Sequence, residues 1–499
     1  MFNAQMAQLD DKAATKPYLI ESLPQLGTDS WQVTPDGRMV TTYKLRETRW
    51  HDGTAFTADD FAFSYRAYST QALGHSSLAP IRFIEAVEAP DPRTVVIRWR
   101  QSYPDVAFVA GLNAEFPPLP GHILENSLQP DQPDLFINSP YWTREYVGVG
   151  PYQLARWEPG AFLEGVAYDG HLGGRAKIDR IKLSFIGDAR TVLASVLAGE
   201  THLTDGSSAS LIEMIVLKRE WVSKGLGGIF NHPNQWRAIH FQHRPDYVSP
   251  AALLNPVMRR ALAHSVDRQP LNDALYDGDG GAADSPFPPQ SLWGPAVERG
   301  VAKYPYDPQR SEQLMRELGY AKGPDGFYAN PTQGRFTFEV KTNAASDNES
   351  EIAILGSTWR QAGFDATEAI LPAALAQNPE ARATFPGVYT NSQQCCESAM
   401  LGLVSLAAPS AENRWAGGNR SGYSNPQYDR LTDTFTRALN PAERNTQMAE
   451  LVRILTEDVQ SITLFIRAQP WAYVSELKGL TLAPPEGNMA WDLQNWEFR

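Results

Sequence analysis

The stretch from Tyr43 to Phe61 constrains the fold of this chain more than any other part of the sequence. The side chains from Val40 to Leu45 alternate with a period of two, which predicts a β-strand. Asp52-Gly53 predicts a tight turn, because glycine tolerates a positive φ and aspartate bonds to its own backbone. Thr57 and Asp60 have the spacing of a capping box at the start of a helix. A strand, a turn and a helix in such close succession indicate an α/β or α+β domain.

Length and composition limit the classes of protein to which the chain can belong. With 499 residues, of which 42% are hydrophobic and 20% charged, the chain is long enough for two or three domains with real cores. The net charge of −13 argues against a nucleic-acid partner, because nucleic-acid binding requires a basic surface.

The two cysteines, Cys395 and Cys396, are adjacent in the sequence. Neighbouring cysteines close a small ring poorly, so we predict packing thiols, or thiols that line a loop, and not a disulfide framework. No apolar run approaches the ~20 residues of a membrane span, so no direct membrane insertion is predicted. The first ten residues also lack the basic and apolar segments of a signal peptide.

The segment Leu45-Arg-x3-Trp-His-Asp-Gly-Thr-x2-Thr-Ala-Asp-Asp-Phe61 also resembles a family signature. It is similar to the signature of the extracellular solute-binding proteins of family 5, or cluster C, which serve peptide-type and nickel-type ABC importers. The resemblance extends from about residue 17 to the C terminus. Further motifs of the family follow in the expected order at Gly148–Tyr152, Arg259–Arg268, Asp307–Tyr320 and Asn413–Asp429.

This resemblance implies an α/β fold of the periplasmic binding protein-like type II, with two lobes around a hinge and an extra domain in the first lobe. Domain I would comprise residues 1–17, 178–250 and 479–499, domain II residues 18–177, and domain III residues 251–478. The resemblance also implies that Met1 falls inside a typical mature chain. An export signal and a first β–α segment would then precede the present sequence.

The sequence carries no enzyme motif that we recognise: a Gly-x-Ser-x-Gly elbow and a Walker loop are both absent. His240 and His243 lie on and just after a predicted strand, where core or surface positions are more common than a metal site. His51, inside the signature, is predicted to be structural. We therefore predict no catalytic residue, no metal and no cofactor.

A binding site is the better prediction for this chain. In the family, a carboxylate near the position of Glu397 pairs with the ammonium group of a peptide ligand, although the surrounding family pattern is not intact here. Trp415 offers a stacking face and Arg414 can fork onto a carboxylate. An exposed loop or core packing is the alternative interpretation of each. The predicted ligand contacts are Glu397, Trp415, Arg414, Asn419, Tyr141, Trp142 and Cys396.

The predicted function is that of the substrate-binding component of an ABC importer. Such a protein binds a peptide or similar polar small molecule in an interlobe cleft and delivers it, as a monomer, to permease subunits in the membrane. Its location would be periplasmic or extracellular, through an export or lipid anchor that is not part of this sequence. Two alternatives stay open: a hydrolase on a similar scaffold, and a truncated relic that transports nothing.

Overall fold

The computed structural model describes residues 1–73, 75–76, 80–108, 116–206, 208, 211–276, 278 and 281–499. The chain divides into two compact units. Unit 1 comprises Met1–His232, Thr436–Leu439 and Pro470–Arg499, and unit 2 comprises Pro233–Phe435 and Asn440–Gln469. The predicted division into domains I, II and III stays a prediction.

Unit 1 begins with three separate antiparallel sheets, which have the strand orders β1-β2, β3-β4-β6-β5 and β7-β8-β9. The residues from Ile84 to Trp99 form a hairpin, the antiparallel pair of β5 and β6. The strands are β1 Ala7–Leu9, β2 Thr15–Pro17, β3 Trp31–Val33, β4 Met39–Lys44, β5 Ile84–Asp91, β6 Thr94–Trp99, β7 Tyr152–Glu158, β8 Phe162–Ala167 and β9 Arg180–Ser184. The helices are α1 Ala58–Ser69, α2 Gly121–Leu124, α3 Pro133–Ile137, α4 Ala189–Leu197 and α5 Leu211–Glu220.

Helix α1 begins as its capping residues predict. The carboxylate of Asp60 accepts a hydrogen bond from the backbone N–H of Thr57 at 2.9 Å. The same carboxylate accepts from the indole N–H of Trp50 at 3.1 Å and from the backbone N–H of Gly121 at 3.2 Å. Asp60 and Trp50 are both buried. The Trp and the second Asp of the signature therefore form one buried polar contact that fixes the start of the helix.

Asp60→Asn is expected to destabilise unit 1 by about 2 kcal/mol, because an amide cannot accept from all three donors and leaves buried polar groups unpaired. Chemical denaturation followed by tryptophan fluorescence measures the change. Asp59→Asn is the matched control, since Asp59 is the exposed neighbour in the same helical turn. Equal stability of the two variants would contradict this account of the signature.

His51 joins the signature to the motif around Gly148. Its Nε2 lies 2.9 Å from the carbonyl oxygen of Gly150, and its Nδ1 accepts from the backbone N–H of Gly148 at 3.2 Å. The backbone N–H of His51 also donates to the carbonyl of Gly148 at 2.9 Å. The predicted structural role of His51 is therefore confirmed by these contacts.

Strand β10, Gly227–Phe241, continues from unit 1 into unit 2, and the chain returns in β18, Ser461–Val474. In unit 2 the main sheet has the order β11-β18-β10-β17-β15-β16, and β15 runs parallel to both β16 and β17. The remaining strands are β11 Gly281–Ala282, β12 Ala321–Lys322, β13 Tyr328–Asn330, β14 Gly334–Arg335, β15 Thr337–Asn343, β16 Asp365–Leu371 and β17 Val388–Gln394, with β19 Leu477–Lys478 and β20 Glu497–Phe498 back in unit 1. The helices are α6 Pro256–His264, α7 Gln269–Tyr276, α8 Gly294–Val297, α9 Pro308–Glu317, α10 Ser346–Ala362, α11 Pro379–Ala383, α12 Cys396–Leu401, α13 Pro426–Phe435 and α14 Pro441–Glu457.

The helices of unit 2 begin where Asn-Pro and Asp-Pro pairs predict. The side chains of Asn255, Asp307 and Asn440 each accept a backbone N–H in the first turn of α6, α9 and α14, respectively. Apolar residues of α6, α9 and α10 pack with β10 and β15 into one buried core. In the part of the chain that the structure describes, the helices are too short or too polar to cross a lipid bilayer.

One ion pair is buried within this core region of unit 2. The guanidinium of Arg237 on β10 donates to the carboxylate of Glu351 on α10 at 2.7, 3.0 and 3.1 Å. The two side chains are 5% and 3% exposed. The hydroxyl of Thr390 on β17 accepts a further bond from Arg237 at 3.0 Å. The pair therefore fastens the helix to two strands of the sheet.

Candidate functional site

The junction of β17 and α12 in unit 2 holds two of the predicted contact residues, Cys396 and Glu397. The sulfurs of Cys395 and Cys396 are joined in a disulfide. Our prediction of two packing thiols was therefore wrong. The backbone at Cys396 adopts a φ of +74°, which brings the neighbouring sulfurs to one side. Both cysteines are buried, so Cys396 presents almost no surface to a ligand.

Glu397 lies in the first turn of α12, where a carboxylate is favoured by the helix dipole. Its two carboxylate oxygens lie 3.2 and 3.3 Å from Nη2 of Arg444. The guanidinium of Arg444 also packs over the rings of Phe435 and Trp293. A ligand ammonium at Glu397 would therefore share the carboxylate with Arg444.

Asn419 is fully buried within unit 2. Its side-chain amide donates to the carbonyls of Leu403, Val404 and Tyr423 at 2.8 to 3.2 Å, and its Oδ1 accepts from the backbone N–H of Tyr423 at 3.0 Å. These bonds occupy the side-chain amide of Asn419 and stabilise the loop that precedes α13. Asn419 thus has no surface to offer a ligand in this structure.

Arg414 and Trp415 lie in the same loop, and both have the positive φ values, +55° and +61°, that side chains rarely adopt. Arg414 is exposed, and Trp415 is half-buried. The indole of Trp415 meets the ring of Tyr247 edge to face, with centroids 6.3 Å apart. This pair of residues keeps the accessibility that a ligand contact needs.

Tyr141 and Trp142 lie in unit 1. Tyr141 is 1% exposed and belongs to a cluster with Phe136 and Leu124. The indole N–H of Trp142 donates to the carbonyl of Phe136 at 2.6 Å, and its ring packs edge to face on Tyr141. The structure therefore puts both rings in the packing of unit 1, which was the alternative interpretation.

Sequence reasoning missed a small polar pocket on one face of β10 and β17. Because paired residues of antiparallel strands share a face, Tyr389 lies beside His240, and Asn391 and Gln393 follow on the same side. The cavity has a volume of about 10 Å³, room for roughly one water molecule. It is lined by His240, Phe385, Tyr389, Asn391, Gln393, Leu403, Gly418, Arg420 and Ser421.

His240 is a buried polar group of this pocket, with 5% of its surface exposed. Its Nε2 is buried and has no hydrogen-bond partner among the described residues. Burial, and next the charges of Arg420 and Arg237, lower the pKa of His240 to about 3, so the ring is neutral. The signal that could have found the pocket was present in the sequence, since polar residues alternate at 389, 391 and 393 on a buried strand.

Comparison with known proteins connects these features to a family. The family model of the bacterial extracellular solute-binding proteins, family 5 Middle, matches residues 21–394, which include the signature, the glycine motif and all of β17. The chain belongs to this family. The matched region contains the signature residues Trp50, His51 and Asp60. It includes residues of both units.

Three similar proteins illustrate the relationships of this family 5 chain. A putative ABC transporter peptide-binding protein of Brucella ovis is 26% identical over 301 residues, 59% of this chain and 51% of that protein. The match thus spans about half the length of this relative. Heme-binding protein A of Haemophilus influenzae is 24% identical over 354 residues, 67% of this chain and 59% of that protein.

The third is a crystal structure, NikZ of Campylobacter jejuni in complex with Ni(L-His). It superimposes with a TM-score of 0.80 and 22% identity, and the match covers 100% of this chain and 94% of that chain. The predicted fold class, an α/β fold of the periplasmic binding protein-like type II, is confirmed by this likeness. The relatives named here are binding proteins, as the family is.

Proposed function

We propose that this family 5 protein is the substrate-binding component of an ABC importer, which binds a polar solute and releases it unchanged. Membership of a family of solute-binding proteins is the observation that supports this proposal. The solute would pass to permease subunits in a membrane. The protein would act outside the cytoplasm as a monomer, held near the membrane by an export or lipid anchor.

The chemistry of the solute is proposed as peptide-like and polar. The name of the Brucella ovis relative supports a peptide, because it is a putative peptide-binding protein. Heme-binding protein A and the Ni(L-His) complex of NikZ are named for quite different ligands. A shared fold therefore does not fix the ligand, which has to be argued from the residues of this chain.

Trp415, Arg414 and Glu397 are the contacts that we propose for the solute. Trp415 offers a partly open aromatic face, and Arg414 an exposed guanidinium in the next position. Glu397 offers a carboxylate whose side chain is 26% exposed. Asn419, Cys396 and Tyr141 are left out of this proposal because they are buried.

Native mass spectrometry of protein purified without denaturant tests the proposal. We expect a co-purified small molecule that leaves intact when the protein is denatured. Unliganded protein should bind at least one member of a panel of dipeptides to pentapeptides, heme and Ni(L-His), and the bound member should be recovered unchanged. Absence of any bound molecule, or recovery of cleaved peptide, would contradict a binding role.

Trp415→Ala should weaken binding of that ligand by about threefold to tenfold, the range expected for loss of one aromatic contact. Leu406→Ala is the matched control, because Leu406 is an apolar side chain of unit 2 that is 96% exposed. Isothermal titration gives both affinities. Equal weakening in the two variants would remove Trp415 from the site.

A further inference from the structure

The polar pocket on β10 and β17 has a positively charged rim. Arg420 lines the pocket, and the charge of Arg382 at the end of α11 is close enough to act on it. No carboxylate is among the described groups that act on the charge of Arg420. Nε of Arg382 is buried and has no hydrogen-bond partner among the described residues. Two like charges without a carboxylate partner repel one another, so a bound anion would stabilise them.

The position of Arg420 is fixed by its neighbours and not by a partner for its charge. Nη2 of Arg244 donates to the carbonyl of Arg420 at 2.9 Å and also to the carbonyl of Ala383, the residue after Arg382. Nη1 of Arg244 donates to the carbonyl of Pro409 at 2.7 Å. Arg244 therefore ties the segments of Arg382 and Arg420 together, and their guanidinium groups stay available.

The interior of the pocket is built to bind a polar atom. His240 is 5% exposed, and its Nε2 has no partner among the described residues. Asn391, which is 7% exposed, also lines the pocket. An unpaired buried polar group is unfavourable, so the ring nitrogen of His240 favours an occupant that can bond to it.

The size of the cavity limits this occupant. About 10 Å³ is room for roughly one water molecule, or for one oxygen of a ligand group. A planar carboxylate can insert one oxygen and keep the other at the arginines, where a hydrogen bond between opposite charges is stronger than one between neutral groups. A phosphate group is larger and tetrahedral, and so fits this space less well.

We propose that unit 2 carries a carboxylate-binding pocket, in which Arg420, with Arg382 beside it, holds the anion and His240 and Asn391 bond to its inner oxygen. The ligand is a small carboxylate or the carboxylate group of a larger molecule. Every named residue belongs to unit 2, so the pocket does not depend on unit 1 or on a role in transport.

Titration of the intact chain with succinate, acetate and inorganic phosphate at constant ionic strength tests the proposal. We expect saturable binding of a carboxylate that is tighter than binding of phosphate. Arg420→Gln should weaken carboxylate binding at least tenfold, and Arg420→Lys should weaken it less, because the charge is kept. Arg382→Gln should weaken it also, which provides a second variant if Arg420→Gln does not fold.

Arg310→Gln is the matched control, because Arg310 is a 42% exposed arginine on α9 of the same unit. Circular dichroism checks that each variant is folded. Unchanged carboxylate affinity in folded Arg420→Gln and Arg382→Gln would overturn the proposal. Saturable binding of phosphate in preference to carboxylate, or no saturable binding of any probe up to tens of millimolar, would overturn it as well.

Discussion

Replacing Glu351 with alanine is expected to destabilise unit 2 by about 3–5 kcal/mol. The guanidinium of Arg237 would then lie buried between β10, β17 and α10 with no carboxylate to balance its charge. Removing one partner of a buried ion pair leaves the full desolvation cost of the other, which is larger than the net contribution of the pair.

A double variant separates the desolvation cost of the unpaired guanidinium from the net contribution of the ion pair to stability. Arg237→Met with Glu351→Leu removes both charges and fills a similar volume, so it should recover most of the lost stability. Urea denaturation of the single and double variants gives the free energies of unfolding. If the double variant were as unstable as Glu351→Ala, packing and not the uncompensated charge would explain the loss.

Acidification is expected to unfold the protein steeply below pH 6.5, because buried histidines are neutral in the folded state. Burial is the largest cause in each case, and it lowers the pKa of His171 to about 4 and of His243 to about 3. The pKa of His240 is likewise lowered to about 3. Near His243 the charge of Arg259 adds to this effect, while Asp458 opposes it.

The sign follows from the protons that each state binds. An unfolded histidine takes a proton near pH 6.5, and the folded one does not until the pH approaches 4 or 3. Stability is therefore complete above pH 6.5 and is lost as the pH falls through this window. Burial raises the pKa of Asp60 and Asp492, which act in the opposite direction. The difference in stability between a histidine variant and the parent protein therefore isolates the histidine contribution better than the pH profile of the parent alone.

His243→Gln isolates one of these groups. The ring nitrogen Nε2 of His243 lies 3.1 Å from the carbonyl of Gln460, and a glutamine amide can donate to the same carbonyl without titrating. Between pH 6 and 4.5 the variant should lose about 1.4 kcal/mol less per pH unit than the parent. His202→Gln, at an exposed position, is the control. Parallel pH profiles for the parent and His243→Gln would contradict the argument.

Local sequence patterns predicted the local structure well. The capping residues Thr57, Asn255 and Asp307 begin helices as expected, because their bonds reach only two or three residues along the chain. The turn at Asp52-Gly53 is present, with Gly53 at a φ of +88°. Capping residues and turns do not determine a fold class, which was predicted from the resemblance to the family signature.

The missed features depend on contacts between distant parts of the chain. Arg237 and Glu351 are separated by 114 positions and Glu397 and Arg444 by 47, and nothing in the local sequence pairs them. The alternating polar residues of β17 are visible in the sequence, but His240 and Arg420 meet only when β10 and the loop before α13 are folded, so the pocket as a whole was missed. Asn419 was predicted to contact a ligand because of its place in a family motif, whereas its side-chain amide bonds to neighbouring backbone groups.

The contacts of His51 with Gly148 and Gly150 have a consequence for how such chains are classified. The most recognisable motif of the sequence forms contacts within unit 1, and these contacts do not involve the residues that we propose for the ligand. Two proteins could therefore share this motif completely and still bind different ligands. A comparison of ligand specificity would have to consider the residues around Trp415 and Arg420, which lie beyond the region that the family model matches.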